Sequence, residues 1–243
     1  MNLTNQTVLI TGATSGIGLN LAIELHKLGN QVIICGRRQE RLAELAAQHP
    51  GLATRVCDVS EAAQRESLAA WATATYPSLN VLVNNAGFMQ LHDLTQALDS
   101  EKITAEITTD LIAPIHLGSL LAVHLAQQPT AAIINVTSGL AFTPLASMPV
   151  YCAAKAGLHS FCLSLRYQLR DTAVRVFEIV PPAVHTEFSQ VGGYDISNDN
   201  AMNVNDFVQE VLRVLAQDQY EVGIGIAEGL RQQKDALFGA LNP

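Results

Sequence analysis

Thr7-Val8-Leu9-Ile10-Thr11-Gly12-Ala13-Thr14-Ser15-Gly16-Ile17-Gly18 decides how the chain is read. An apolar, β-branched run ends abruptly in three glycines, and residues of helical period follow at once. That order predicts a strand over 8–11, a tight turn, and a helix with Leu19, Ala22, Ile23, Leu25 and His26 on its inward side. Gly12 suits the tight turn, Gly16 lets a backbone come close to a pyrophosphate, and Gly18 permits close packing of the helix. Backbone N–H groups and the positive end of the helix dipole then face the phosphates. A tight βα turn that holds no ligand is the alternative reading of the same glycines.

Outward from this turn, runs of strand character alternate with segments of helical period. Strands are predicted over 31–35, 53–57, 81–83, 131–136, 174–180 and 222–226, and helices over 39–48, 61–75, 100–127, 151–170 and 204–216. Seven strands and about six helices joined by short connections predict an α/β fold: one doubly wound (Rossmann) domain over 1–243 with a parallel seven-stranded sheet and helices on both faces. Residues 192–205 lack periodicity, and the segment 186–205 is expected to be a lid over a substrate.

The chain has 243 residues, of which 49% are hydrophobic and only 15% charged, so a large buried core is expected and disorder is excluded. Lys+Arg number 14 against 22 Asp+Glu, a net of −8, and no basic run offers a nucleic-acid surface. No apolar stretch of membrane-spanning length runs without a charged or turn residue, and Met1 leads into strand residues without a basic, then apolar, leader. Cys35, Cys57, Cys152 and Cys162 show neither CxxC nor Cys/His ligand spacing, so ordinary thiols, no metal and a reducing cytoplasmic compartment are expected.

After the second strand come Cys35-Gly36-Arg37-Arg38, with no carboxylate. An acidic residue there would bond a ribose 2′-OH, whereas a cation suits a 2′-phosphate, so Arg37 and Arg38 favour NADP(H) over NAD(H). Asp58 and Val59 end the third strand; they would lie near the adenine, or Asp58 is only the turn acid of the next helix. Tyr151 and Lys155 stand four residues apart on a predicted helix and share a face. Lowering a phenol from pKa ~10 to ~7 takes roughly 4 kcal/mol, and a nearby ammonium acts with the right sign. Ser138 follows the fifth strand, where its hydroxyl can donate to a carbonyl oxygen. A hydrolase is disfavoured because no Gly-x-Ser-x-Gly elbow exposes a nucleophile, and His116, His124, His159 and His185 read as structural or surface residues.

The residues 11–18, the Asn84-Asn85-Ala86-Gly87 turn, Ser138 and Tyr151-Cys152-Ala153-Ala154-Lys155 resemble, in order and spacing, the short-chain dehydrogenase/reductases. Ser138-Gly139-Leu140-Ala141-Phe142, Leu165-Arg166-Tyr167-Gln168-Leu169 and Pro181-Pro182-Ala183-Val184 look like the DltE-type oxidoreductase branch of that family. The resemblance implies that Tyr151 is the general acid in carbonyl reduction, that Ser138 polarises the carbonyl and that Lys155 holds the nicotinamide ribose. It implies a cofactor site of Gly12, Thr14, Ser15, Gly16, Ile17, Gly18, Arg37, Arg38, Asp58, Val59, Asn85, Ala86, Gly87, Tyr151, Lys155, Pro181, Val184 and Thr186. A small carbonyl or alcohol substrate and a homodimer or homotetramer are expected from it too. Asp110 stands where the family usually has an Asn of the proton relay; it is either part of that catalytic set or a local kink residue ahead of Pro114. A nucleotide-binding regulatory or scaffold protein with little turnover is the rival reading.

Overall fold

The computed structural model describes residues 1–190 and 201–242. Its seven strands are β1 Thr7–Thr11, β2 Gln31–Gly36, β3 Ala53–Val56, β4 Val81–Asn84, β5 Ala131–Val136, β6 Val174–Val180 and β7 Glu221–Gly223. They form one parallel sheet in the order β3-β2-β1-β4-β5-β6-β7. Every residue of β1, β4 and β5 is buried, as the strands of a sheet covered on both faces must be.

Strand alternation divides the core into two layers. Val8, Ile10, Val32, Ile34, Val81 and Val83 pack with one set of helices: α1 Gly16–Lys27, α2 Gln39–Gln48 and α7 Val204–Ala216. Leu9, Ile33, Leu82 and Ile133 pack on the other face with α3 Ala62–Thr75, α5 Ala113–Ala126 and α6 Pro149–Gln168. The inward residues of α1 are Gly18, Leu21, Ala22 and Leu25. Leu19 and Ile23, expected there, are only half-buried, because the helix starts at Gly16 and its face turns to bring Leu21 inward.

The helix expected over 100–127 is three pieces: α4 Ser100–Ile107, a π-helical turn Thr108–Ile112, and α5. Pro114 has no N–H to give the carbonyl of Asp110, four residues earlier, and Ala113 N–H reaches back to Thr108 O instead. By length and composition Ser100–Ala126 could cross a membrane. Its Leu117, Leu121 and Leu125, however, are spent on the core beneath the sheet.

The last strand ends at Gly223, not at 226; a helix, α8 Ile226–Gln233, takes over. Two short turns, Lys234–Leu237 and Phe238–Leu241, follow it. Of the expected lid, 191–200 lie outside the described residues. The residues just before it are joined to its later part, since Val184 bridges Met202 and His185 N–H donates to Met202 O at 2.9 Å.

Candidate active site

The strand order reverses direction at β1, between β2 and β4, and the loops at the carboxyl ends of these strands open the crevice where ligands bind in such sheets. Four stretches meet there: 11–18, 84–88, 136–138 and 181–187.

Thr11 ties the first two. Its Oγ1 accepts from the N–H groups of Asn85 and Ala86 at 3.0 and 3.1 Å, and Asn85 Nδ2 donates to Thr11 O at 3.0 Å. The approach is so close that a Cβ on Gly12, whose φ is +64°, would stand 2.6 Å from Ala86 Cα. A Cβ on Gly18 would meet Asn85 Nδ2 at 2.4 Å, so this glycine is needed for loop packing against Asn85 more than for the sheet. Gly16 faces Thr186, whose Cβ lies 3.3 Å from where its own Cβ would be. Ser15 caps α1 without a side-chain bond to the helix. That leaves the N-terminal N–H groups of α1 uncapped by a side chain at the centre of the crevice, an arrangement that fits a pyrophosphate.

Arg38 Nε and Nη2 donate to Thr14 Oγ1 at 3.1 and 2.9 Å, and Nη2 donates to Ser15 Oγ at 2.8 Å. Arg37 is exposed and stands 3.9 Å from Asp58. The absence of a carboxylate after β2 is thus true only along the chain. In space Asp58 approaches Arg37, and Glu187, from the far side of the sheet, pairs with Arg38 at 3.0 Å. Asp58 is a turn acid, accepting from Ser60 N–H and Ser60 Oγ at 2.9 and 2.7 Å. Val59 is buried beside it among the apolar residues of the second layer.

Ser138, Tyr151, Lys155 and Asp110 converge, all buried. Ser138 Oγ accepts from Leu140 N–H at 3.1 Å, which leaves its own proton to give. Lys155 Nζ donates to Val136 O at 3.2 Å and faces Asp110 Oδ1 at 3.1 Å. Asp110 Oδ2 accepts from Phe88 N–H at 3.2 Å, and a Cβ on Gly87 would stand 2.4 Å from Asp110 Oδ1. Burial raises the Asp110 carboxyl to a pKa of about 6, against the pull of Lys155 and of the Phe88 N–H.

The phenol of Tyr151 runs counter to expectation. Burial pushes its pKa above the ordinary value, the Asp110 carboxylate adds to this, and a hydrogen bond with Ser138 works the other way. The Lys155 ammonium, 5.6 Å from the ring centre, was expected to lower it. It is paired instead with Asp110, and the two charges largely cancel at the phenol.

Around Tyr151 the wall is apolar: Met89, Met148 and Cys152, with Leu140, Leu145 and Phe188 packed against them. Pro181 and Val184, after β6, are buried too, Val184 in the layer with α1 and α7. A buried pair that sequence reasoning passed over fixes this wall. Glu106 Oε2 lies 2.8 Å from His92 Nε2, and Glu106 Oε1 accepts from Gln90 N–H at 3.1 Å. No local pattern marks it, because a glutamate within a helical period reads as surface.

His116, His124, His159 and His185 stand apart from these residues. His116 Nδ1 accepts from Arg65, His124 lies against Leu79 O, His185 is exposed, and His159 pairs with Glu178 at 2.9 Å. Among the described residues one trio, His159, Glu178 and Glu221, has metal-ligand geometry. Arg166 and Arg231 approach Glu221 at 3.8 and 2.8 Å, so the cluster already holds its counter-charges.

Sheet order, glycine turn and the Ser, Tyr and Lys cluster define a Rossmann-fold oxidoreductase. The family model for the short chain dehydrogenases matches residues 6–193, and the chain belongs to that family, in its DltE-type branch. It is 47% identical to the uncharacterized oxidoreductase DltE of Bacillus subtilis (strain 168), covering 100% of this chain and 98% of that protein. A short-chain dehydrogenase from Sphingobium yanoikuyae in complex with NADPH superposes with a TM-score of 0.84 at 28% identity, over 97% of this chain and 93% of the other. A short chain dehydrogenase/reductase from Burkholderia phymatum in complex with NAD shares the fold, with a TM-score of 0.83 at 20% identity over 99% and 93% of the two chains. The protein is thus an oxidoreductase of the short-chain dehydrogenase class.

Proposed function

We propose that the protein interconverts a small carbonyl compound and its alcohol, with NADP(H) preferred over NAD(H). The convergence of Ser138, Tyr151 and Lys155 beside the glycine turn is the observation that carries this reading. The cofactor would be held by Gly12, Thr14, Ser15, Gly16, Ile17, Gly18, Arg37, Arg38, Asp58, Val59, Asn85, Ala86, Gly87, Tyr151, Lys155, Pro181, Val184 and Thr186. When bound it supplies or accepts the hydride at the carbonyl carbon. Tyr151 gives its phenolic proton to the carbonyl oxygen in reduction and takes it back in oxidation, and the Ser138 hydroxyl donates to the same oxygen. Lys155 is anchored between Val136 O and Asp110, a placement that keeps an ammonium near the phenol. The apolar wall of Met89, Leu140, Leu145, Met148 and Phe188 favours a substrate whose carbonyl carries an apolar flank.

The preference for NADP(H) is supported by Arg38, fixed by Thr14 and Ser15, and by the NADPH complex of the Sphingobium relative. The segment 186–205 serves as the lid, a reading supported by the bridge from Val184, just before it, to Met202. A homodimer or homotetramer is part of this reading, supported by the family to which the chain belongs.

Tyr151→Phe tests the chemistry. Turnover of a carbonyl panel should be lost while NADPH affinity stays within about twofold. Undiminished turnover would overturn the assignment. One observation favours the rival reading of a nucleotide-binding regulatory protein: Lys155 is paired with Asp110 and the phenol is pushed up. Tight NADPH binding without oxidation by any carbonyl, unchanged in Asp110→Asn, is the result that reading expects.

A further inference from the structure

Arg38 is surrounded by a donor and acceptor set that an anion completes. Three of its contacts are to neutral oxygens, Thr14 Oγ1 from Nε and Nη2 and Ser15 Oγ from Nη2. The fourth is to a carboxylate: Nη1 donates to Glu187 Oε2 at 3.0 Å. Glu187 sits in the short turn Glu187–Gln190, directly after Thr186, the residue packed against Gly16. Its carboxyl also takes a hydrogen bond from Ser15, and its pKa is held below the usual range chiefly by the Arg38 hydrogen bond. One carboxylate thus spans the guanidinium and a hydroxyl of the glycine turn, the same two kinds of donor that a ribose phosphate would take. Nothing in the glycine motif or in the residues after β2 requires an acid here.

We propose that Glu187 is an internal anion at the 2′-phosphate subsite, whose carboxylate occupies Arg38 and must be displaced when a 2′-phosphorylated nucleotide binds. This rests on the reading that Arg38 receives the 2′-phosphate. Glu187 is then a specificity-determining residue. It weakens NADP(H) because two anions compete for one guanidinium, and it leaves NAD(H) nearly untouched because a ribose 2′-OH brings no charge to Arg38.

The pair is exposed, with 49% and 63% of the two side chains accessible, so its effect is modest. Glu187→Gln should tighten NADPH about fivefold, equivalent to about 1 kcal/mol, the upper end for an exposed ion pair. The experiment is a fluorescence titration of NADPH and NADH, with 2′,5′-ADP and 5′-AMP as displacing probes, on the wild type, Glu187→Gln, Arg38→Ala and the double variant. The expected pattern is tighter NADPH and 2′,5′-ADP in Glu187→Gln, NADH and 5′-AMP within twofold of wild type, and no effect of Glu187→Gln once Arg38 is gone. Equal tightening of both nucleotides, or none, overturns the inference. If Arg38→Ala weakens NADPH selectively and Glu187→Gln changes nothing, only the role of Glu187 fails. If Arg38→Ala weakens NADPH and NADH alike, the 2′-phosphate assignment fails and this inference with it.

Discussion

Replacing Asp110 by Asn removes one charge and one acceptor. The single Asn oxygen can face Lys155 or take the Phe88 N–H, so one of these two contacts is lost, while the side chain still fits beside Gly87, where no bulk can be added. The ammonium stands 5.6 Å from the Tyr151 ring centre. At an effective dielectric near 20, a unit charge at that distance is worth about 3 kcal/mol to a phenolate, or about 2 pKa units. In the wild type most of this is cancelled by the carboxylate at 3.1 Å from Lys155. Asp110→Asn should therefore lower the phenol by about 1–2 units. In alcohol oxidation the phenolate is the proton acceptor, so activity rises with pH through this ionisation and the acidic limb of kcat should move down by the same amount. In carbonyl reduction the phenol is the donor, so the variant should lose activity at lower pH than the wild type. Because the Asp110 carboxyl itself titrates at about 6, the two proteins should differ most above that pH and converge below it, where the wild-type carboxyl is neutral as well. The pH dependence of kcat with saturating nucleotide, paired with the ultraviolet difference spectrum of tyrosinate, reads both. A limb that stays where it was, or one that moves up, refutes the coupling of Asp110 to the phenol through Lys155.

Gly12→Ala places a Cβ 2.6 Å from Ala86 Cα at a φ of +64°, so it should cost about 1–3 kcal/mol of stability and weaken NADPH binding; an unfolding midpoint in urea equal to wild type would contradict this. Phe207 is 0% exposed in the layer under α1 and α7, and Phe207→Ala should cost about 3–5 kcal/mol, read from the same urea curves. The hydrogen bond to Glu178 raises the His159 pKa above its ordinary value. A histidine whose folded pKa is raised contributes stability that is complete below its unfolded pKa of about 6.5 and is lost as pH rises through the folded value. Thermal melting from pH 6 to 9 should thus show a decline that His159→Gln flattens, and a parallel decline in both proteins would assign it elsewhere.

What could be read from residues in order was local in its physics. A buried parallel strand announces itself as a short run rich in apolar and β-branched residues, and β5 and β6 fall where such runs begin and end, despite Asn135 in one and Arg175 and Glu178 in the other. Helix α2 has strong amphipathic period, and its bounds, Gln39–Gln48, are those expected. Where two elements share one run, the boundary was lost. Glu221-Val222-Gly223-Ile224-Gly225-Ile226 looks like one strand, yet Gly225 takes a φ of +59° and the chain turns there into α8. The break in the 100–126 helix was marked by Pro114, but only the structure shows that it takes the form of a π-helical turn centred on Asp110.

The site divides the same way. Residues that share a turn or a helix face were legible: the glycines of 12–18, and Tyr151 with Lys155. Their electrostatics were not, because the partner that sets a charge's effect comes from a distant element of the chain. Lys155 beside a tyrosine implies a lowered phenol only while the ring is solvated and the lysine unpaired; burial of the ring raises the phenol, and Asp110, on a different helix, adds to the rise. Two arginines after β2 imply a vacant anion site only while no carboxylate reaches them, and Glu187 reaches Arg38 from 149 residues away. In both cases the cationic residue was visible and its anion was not. A cation is kept in a recognisable motif by the ligand it serves, whereas an opposing carboxylate need only arrive within about 3 Å, from any element the fold brings past. For a relative of this protein, the useful first question is which acid stands at 110 and at 187, since those two positions decide how much of the charge on Lys155 and Arg38 is left for a substrate and a nucleotide.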